Sequence, residues 1–139
     1  MGERIYATTA HNTGGTHGTV SLSDGPSVTT GPPQHPEAGT NPEQFLAMSW
    51  ATCLSASVEV ALGRLGIDAA AHPPQVSVEV ALLSRDGEYA FEPRARVDIP
   101  GLDAQRTLEA ARAGHARCPV SKLLRGQGTP VVEAAGQAI

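Results

Sequence analysis

Lysine is nearly absent from this chain of 139 residues: Lys122 stands alone, and arginine supplies the other nine of ten positive charges. A formal net charge of −4 leaves no clustered cationic excess of the kind phosphate attraction requires, which argues against a general nucleic-acid partner. No apolar run approaches the roughly 18 residues that span a bilayer, so no membrane insertion is expected. No apolar signal region precedes the first strand-like residues, and a cytoplasmic protein is the expectation. No internal repeat or low-complexity tract is evident. No two of His11, His17, His35, His72 and His115 sit at ligand spacing with each other. His115 and Cys118, three residues apart, make only a weak zinc signal, so no metal site is expected. Cysteine is scarce as well, with only Cys53 and Cys118. In a cytoplasmic chain a lasting structural disulfide between them is uncommon.

What is present fits one domain, residues 1–139, with enough chain to bury a core. Residues 4–10 are rich in β-branched and aromatic types and predict a strand. Asn12-Thr13-Gly14-Gly15 predicts a turn, residues 16–23 a second strand, Asp24-Gly25 another turn and residues 27–30 a third strand. Three prolines make residues 31–40 a loop. Asn41 then predicts a helix cap, with Pro42 at the first helical position and Gln44 at the capping-box site. That helix should run to about Leu65 and stop at Gly66. It is apolar nearly all round with small residues in its middle, the pattern of a buried helix packed against another backbone, and in so short a chain it calls for a partner subunit. Residues 76–82 and 89–99 predict a hairpin about Arg85-Asp86-Gly87-Glu88, interrupted at Pro93. Asp103 should cap a second helix over about 104–117, with Leu108, Ala111 and His115 facing inward, and Pro119 should break it. A short helix over 120–124 and a last strand over 130–134 complete an α+β order, since strands come in hairpin blocks rather than in βαβ alternation.

The chemistry centres on the two thiols. A thiol that attacks an oxidant needs a second thiol to rescue it, and two cysteines are the minimum for that cycle. Cys53 lies about three turns inside its helix, too deep to gain from the N-terminal dipole, so activation must come from an arginine or a hydrogen-bonding network on another element. Cys118 ends a helix, where the dipole disfavours a thiolate, which suits a resolving thiol. Against this stand two bland readings, a small apolar core residue for either cysteine and a structural disulfide for both. Glu43 is accounted for as a helix-start carboxylate. If it serves a cysteine, the ten residues to Cys53 span about 15 Å at 1.5 Å per residue, so it would serve the site of a neighbouring subunit.

Gly39-Thr40-Asn41-Pro42-Glu43-Gln44 with Cys53 downstream, then His115-Ala116-Arg117-Cys118-Pro119-Val120-Ser121 and Arg125-Gly126, resembles the organic hydroperoxide resistance branch of the OsmC superfamily. The Thr13-Gly14-Gly15 turn and Asp24-Gly25 extend the resemblance over most of the chain. It implies an OsmC-like fold, with antiparallel sheets around two long central helices in an intertwined homodimer. It also implies a thiol-dependent peroxidase with no metal and no bound cofactor, acting in the response to oxidative stress. Cys53 would attack the peroxide and become a sulfenic acid, Cys118 would condense with it to a disulfide, and a dithiol reductant, in this branch a lipoylated protein, would reopen it. Glu43 would belong to the same site. Phe45, Met48 and Trp50 flank Cys53 on its helix and are candidates to bind an apolar substrate, favouring alkyl or fatty-acid hydroperoxides over hydrogen peroxide; core or dimer packing is the competing reading.

One departure stands out. The family's Gly-Gly turn is followed by an arginine that pairs with the thiolate and the glutamate, and here Gly14-Gly15 is followed by Thr16 and His17. Threonine supplies no charge to lower a thiol pKa. Arg4, Arg94, Arg96, Arg125 or a protonated His17 are the candidate substitutes. Two alternatives follow: the osmotically inducible branch with its broader peroxide preference, and a non-catalytic homodimer binding an apolar small molecule.

Overall fold

The computed structural model describes residues 2–139, and its secondary structure is α+β. The chain folds as two compact units, one made of the chain up to Leu46 with Val80–Glu92, the other of Ala47–Glu79 with Pro93–Ile139.

In the first unit, β1 (Ala10–Thr13), β2 (Thr19–Leu22) and β3 (Ser27–Thr29) form an antiparallel sheet in sequence order. Its register places Asn12 opposite Val20 and Val20 opposite Val28. The strand expected over residues 4–10 is realised only at Ala10. Its partner strand ends at Leu22; beyond it one backbone bond, from the Ser23 amide to the Thr9 carbonyl at 2.9 Å, continues the pairing, and then Tyr6 and Thr8 donate hydroxyl hydrogens to the Asp24 carboxylate. A short 3-10 turn, Gly15–His17, joins β1 to β2, with Gly14 and Gly15 at φ of 88° and 59°. Asn12 holds that turn by accepting from the Gly15 amide at 3.0 Å and donating to the Thr19 carbonyl at 3.2 Å. The proline loop is pinned at its base, where Thr30 and Thr40 bridge and a Cβ on Gly31 would meet the Gly39 nitrogen at 2.6 Å.

The long helix α1 spans Pro42–Arg64. Its capping box forms as expected: Asn41 Oδ1 accepts from the Gln44 amide and Gln44 Oε1 from the Asn41 amide, both at 2.9 Å. At the far end, Gly66 (φ 75°) donates to Gly63 and Ile67 to Leu62, a Schellman closure. Against the expectation from its interrupted apolar runs, α1 is long and apolar enough to cross a membrane by length and composition. Here α1 serves as the core helix of the second unit, burying Trp50, Leu54, Val58 and Leu62 with Ile99, Ala110 and Cys118.

β4 (Gln75–Arg85) and β5 (Glu88–Asp98) form a two-stranded hairpin, turning at Asp86 and Gly87 with φ of 53° and 80°. Positive φ at both central residues is the I′ turn that matches strand twist. Pro93 does not interrupt β5, because each strand of a two-stranded sheet has an outward row of N–H groups where proline removes nothing.

Asp103 caps α2 (Ala104–Arg117), accepting from the Arg106 amide at 2.9 Å. Its buried side carries Ala110 and Gly114, with Ala111 and His115 half-buried; Leu108, expected inward, is 52% exposed. Gly114 is where α2 meets α1, since a Cβ there would lie 2.5 Å from Val58 Cγ2 and 3.0 Å from its Cα. The close backbone approach expected of α1 is thus made through a glycine of its partner. α3 (Pro119–Leu124) follows after one residue, and β6 (Glu133–Ala134) pairs with β7 (Gln137–Ala138) at the end of the chain.

Candidate active site

Cys53 sits in the middle of α1 and Cys118 between α2 and α3, and their sulfurs are 3.2 Å apart with both cysteines free. Two i, i+3 pairs produce this. Trp50 and Cys53 share one face of α1, Cys118 and Ser121 one face at the start of α3, and the pairs oppose each other. Trp50 Nε1 donates to Ser121 Oγ at 2.8 Å, and the Ser121 amide donates to Cys118 Sγ at 3.4 Å. A Trp–Ser–Cys–Cys chain of hydrogen bonds therefore crosses the core, and every member of it but Cys53 is buried.

The two thiols are electronically unequal. Burial pushes the Cys53 thiol up from its ordinary value and the Cys118 thiol adds to the rise, while the Val120 amide works against both. Burial opposes ionisation of Cys118 too, but the Ser121 amide, the Cys53 thiol, the Ser121 hydroxyl and the Val120 amide together hold it below its ordinary value. The dipole argument from sequence located Cys118 at the end of α2, and its amide does donate to Gly114 there. Its side chain, however, is also the N-cap of α3. Pro119 at the first helical position has no N–H to offer, so the next two amides are the ones directed at sulfur.

Access is unequal in the opposite sense. Cys118 is 0% exposed, whereas Cys53 lines a cavity of 520 Å³ with Ala56, Ser57, Val60 and Pro119. Two cations, Arg117 and Lys122, complete that lining, and no carboxylate is part of it. Neither was a candidate from sequence. Arg94 and Arg96, in the same unit, line a different cavity with Ser77, Val78 and Glu79, and Arg125 ends α3. Arg4 and His17 belong to the first unit, where the Thr16 hydroxyl lies 3.4 Å from His17 Nδ1.

The other expected site residues fall as follows. Trp50 is a core residue whose N–H is spent on Ser121. Met48 is 55% exposed on α1. Glu43 and Phe45 belong to the first unit. There Glu43 lines a 410 Å³ cavity with Thr16, Tyr89 and Phe91, and Phe45 lines one of 580 Å³ with Val20, Pro42 and Leu46. Thr16 opens on both cavities, so the threonine at the family's arginine position does share a cavity with Glu43. Among the described residues no group of three or more His, Cys, Asp and Glu gathers as metal ligands. The network residues Ser121 and Trp50 had a sequence signal in their i, i+3 spacing from the cysteines; Arg117 and Lys122 had none beyond adjacency to Cys118.

A family model described as OsmC-like protein matches residues 34–133. An organic hydroperoxide resistance protein-like sequence of Mycoplasma pneumoniae is 34% identical over 125 residues, covering 87% of this chain and 88% of that one. The peroxiredoxin OsmC of Escherichia coli is 31% identical over 101 residues, covering 67% and 66%. The crystal structure of the organic hydroperoxide resistance protein OhrB of Bacillus subtilis superposes with a TM-score of 0.79 at 26% identity, covering 88% of this chain and 93% of that one. By sequence along most of its length and by fold, the chain belongs to the family of OsmC-like proteins.

Proposed function

We propose that the protein is a cysteine-based peroxidase that reduces organic hydroperoxides. The observation that carries this reading is the 3.2 Å approach of an accessible sulfur to a buried one. Cys53 lines a cavity and Cys118 is fully buried, so Cys53 meets the hydroperoxide. Its thiolate attacks the distal oxygen, the O–O bond breaks, and the alcohol leaves with a proton. Cys118 then attacks the Cys53 sulfenic acid and hydroxide leaves as water, closing a disulfide between sulfurs already in contact. The names of the Mycoplasma pneumoniae and Escherichia coli relatives support a peroxide substrate.

The working form is a homodimer. A folded monomer of 14.3 kDa exposes about 6,800 Å² by the usual scaling, and this chain exposes 9852 Å², with Met48, Val60 and Leu65 of α1 among the uncovered apolar residues. Glu43 would then serve the site of the neighbouring subunit, and a dithiol carrier such as a lipoylated protein would reopen the disulfide in the cytoplasm. Neither nucleic acid nor membrane is part of the cycle.

The test is one equivalent of cumene hydroperoxide at neutral pH, followed by non-reducing peptide mapping. A Cys53–Cys118 peptide pair should form, Cys53→Ser should abolish peroxide loss, and Cys118→Ser should consume one equivalent and stop. Survival of both thiols in excess peroxide would sink the reading. It would favour instead an apolar-ligand-binding homodimer, for which the 580 Å³ cavity beside Phe45 is the specific support.

A further inference from the structure

We propose that the Cys53–Cys118 disulfide is reopened by attack on the Cys53 sulfur, and that Arg117 and Lys122 select an anionic thiol for the attack. The inference takes from the peroxidase reading only the origin of the disulfide.

Three features of the second unit converge on it. The first is access: Cys118 is fully buried, while Cys53 lines the 520 Å³ cavity. The second is the leaving group. Thiol–disulfide exchange runs faster when the expelled sulfur is the more stable thiolate. Attack on Cys53 expels Cys118, whose sulfur already receives the Ser121 amide. Attack on Cys118 would expel Cys53, whose thiolate burial disfavours. The third is charge. In a chain of net charge −4, the wall of this cavity carries two cations, one of them the only lysine, and no carboxylate. Among the described residues of one subunit the ion pairs are His35–Glu37 and Asp103–Arg106, so neither Arg117 nor Lys122 has a carboxylate partner there, and a Glu43 contributed by a neighbouring subunit would set one negative charge against two positive ones. Their charge is left for what enters the cavity.

The exchange balances as two nucleophilic displacements. A reductant thiolate forms a bond to Cys53 Sγ, the Cys53–Cys118 bond breaks, and Cys118 leaves as thiolate. A second reductant thiolate attacks the reductant sulfur of that mixed disulfide and expels Cys53. Two electrons pass to the protein, the two reductant sulfurs end joined, and the two protons they released are available to Cys53 and Cys118.

The experiment makes the disulfide with diamide, so it does not depend on peroxide. The oxidised protein is mixed with three thiols on one scaffold: mercaptoethanesulfonate, mercaptoethanol and mercaptoethylamine. Each rate is divided by that of the same thiol with a small neutral disulfide. The sulfonate should exceed the amine by about tenfold at low salt, and the gap should shrink in molar salt. The order should be lost in Arg117→Ala/Lys122→Ala, reverse in Arg117→Glu/Lys122→Glu and persist in Arg112→Ala. Acid quench, alkylation and mapping should find the adduct on Cys53 and the alkyl group on Cys118. A flat series in the unaltered protein, an order that survives the double alanine variant, or an adduct on Cys118 overturns the proposal, as does failure of diamide to form the disulfide. If diamide forms the disulfide but peroxide does not, the peroxidase reading falls and the exchange is still measured.

Discussion

Two helices in this protein begin with the same local design and use it differently. At the start of α1, Asn41-Pro42-Glu43-Gln44 places an oxygen acceptor before a proline, and at the start of α3, Cys118-Pro119-Val120-Ser121 places a sulfur there. In each, the cap side chain accepts from the amide three residues on, at 2.9 Å for oxygen and 3.4 Å for sulfur. Asn41 is a committed acceptor with no further chemistry, and Gln44 returns the bond. A thiol accepts weakly until it ionises, so the second cap is at its best when Cys118 carries a charge. Ser121, in the place of Gln44, receives Trp50 rather than accepting from the backbone amide of its own cap, which donates to Gly114 instead. The first cap is a finished structure; the second ties helix geometry to the protonation of a sulfur.

Exchanging sulfur for oxygen in the second cap should have the largest effect. Cys118→Ser keeps an acceptor for the Ser121 amide and should retain the fold, while turnover with hydroperoxide and a reducing dithiol falls to background; Asn41→Ala should leave turnover in place. Next comes the α1–α2 approach that holds the second cap in position. Gly114→Ala forces a methyl against the Val58 backbone and should cost about 3 kcal/mol, at the upper end of overpacking, read from urea midpoints. Ser121→Ala leaves the buried Trp50 N–H without an acceptor and should cost about 2 kcal/mol. It should also raise the Cys118 thiol, which thiol-specific absorbance in a Cys53→Ser background would register. Asn41→Ala should cost about 1 kcal/mol, the usual worth of an N-cap side chain.

The smallest effect is a pH dependence confined to the second cap. Between the lowered value of Cys118 and the unfolded thiol value near 8.5, the folded chain binds fewer protons at Cys118 than the unfolded one, so stability rises with pH. Cys53 acts in the other direction. Its raised value means the folded chain holds its proton above pH of about 8.5, and stability falls as pH climbs through that folded value. Urea midpoints in reducing buffer should therefore peak near the ordinary thiol pKa. Cys118→Ser should lose the rising limb and Cys53→Ser the falling one. A rising limb that persists in Cys118→Ser would remove the claimed difference between the two caps.

Local rules made much of this legible. The capping box of α1, its stop at Gly66, the Asp103 cap and the Asp86-Gly87 turn each depend on a few consecutive residues, and each forms as those residues dictate. Readings that needed a partner element fared less well. Residues 4–10 have strand composition but lack a strand beyond Leu22 to pair with. Leu108 was assigned inward from its apolarity, yet the buried stripe is set by where α2 approaches Val58, through Gly114 and Ala110. At the site, the two cysteines were visible and their unequal roles arguable. The sulfur cap was hidden because Cys118 ends one helix and begins another, and helix α2 masked the second function. Arg117 and Lys122 flank Cys118 in sequence, but only the cavity reveals that they face the space in front of Cys53.

The contact of Gly114 with Val58 sets the mechanical tolerance of this arrangement. Cys118 lies four residues beyond the contact, about 6 Å along the helix axis. A rotation of about 10° around such a fulcrum displaces the sulfur by about an ångström, the scale on which two touching thiols become bonded. A fulcrum without a side chain allows that swing with little repacking at the crossing itself. If the two cysteines bond and part as proposed, the change needs only a small tilt of one helical segment, with the hydrophobic interior left in register.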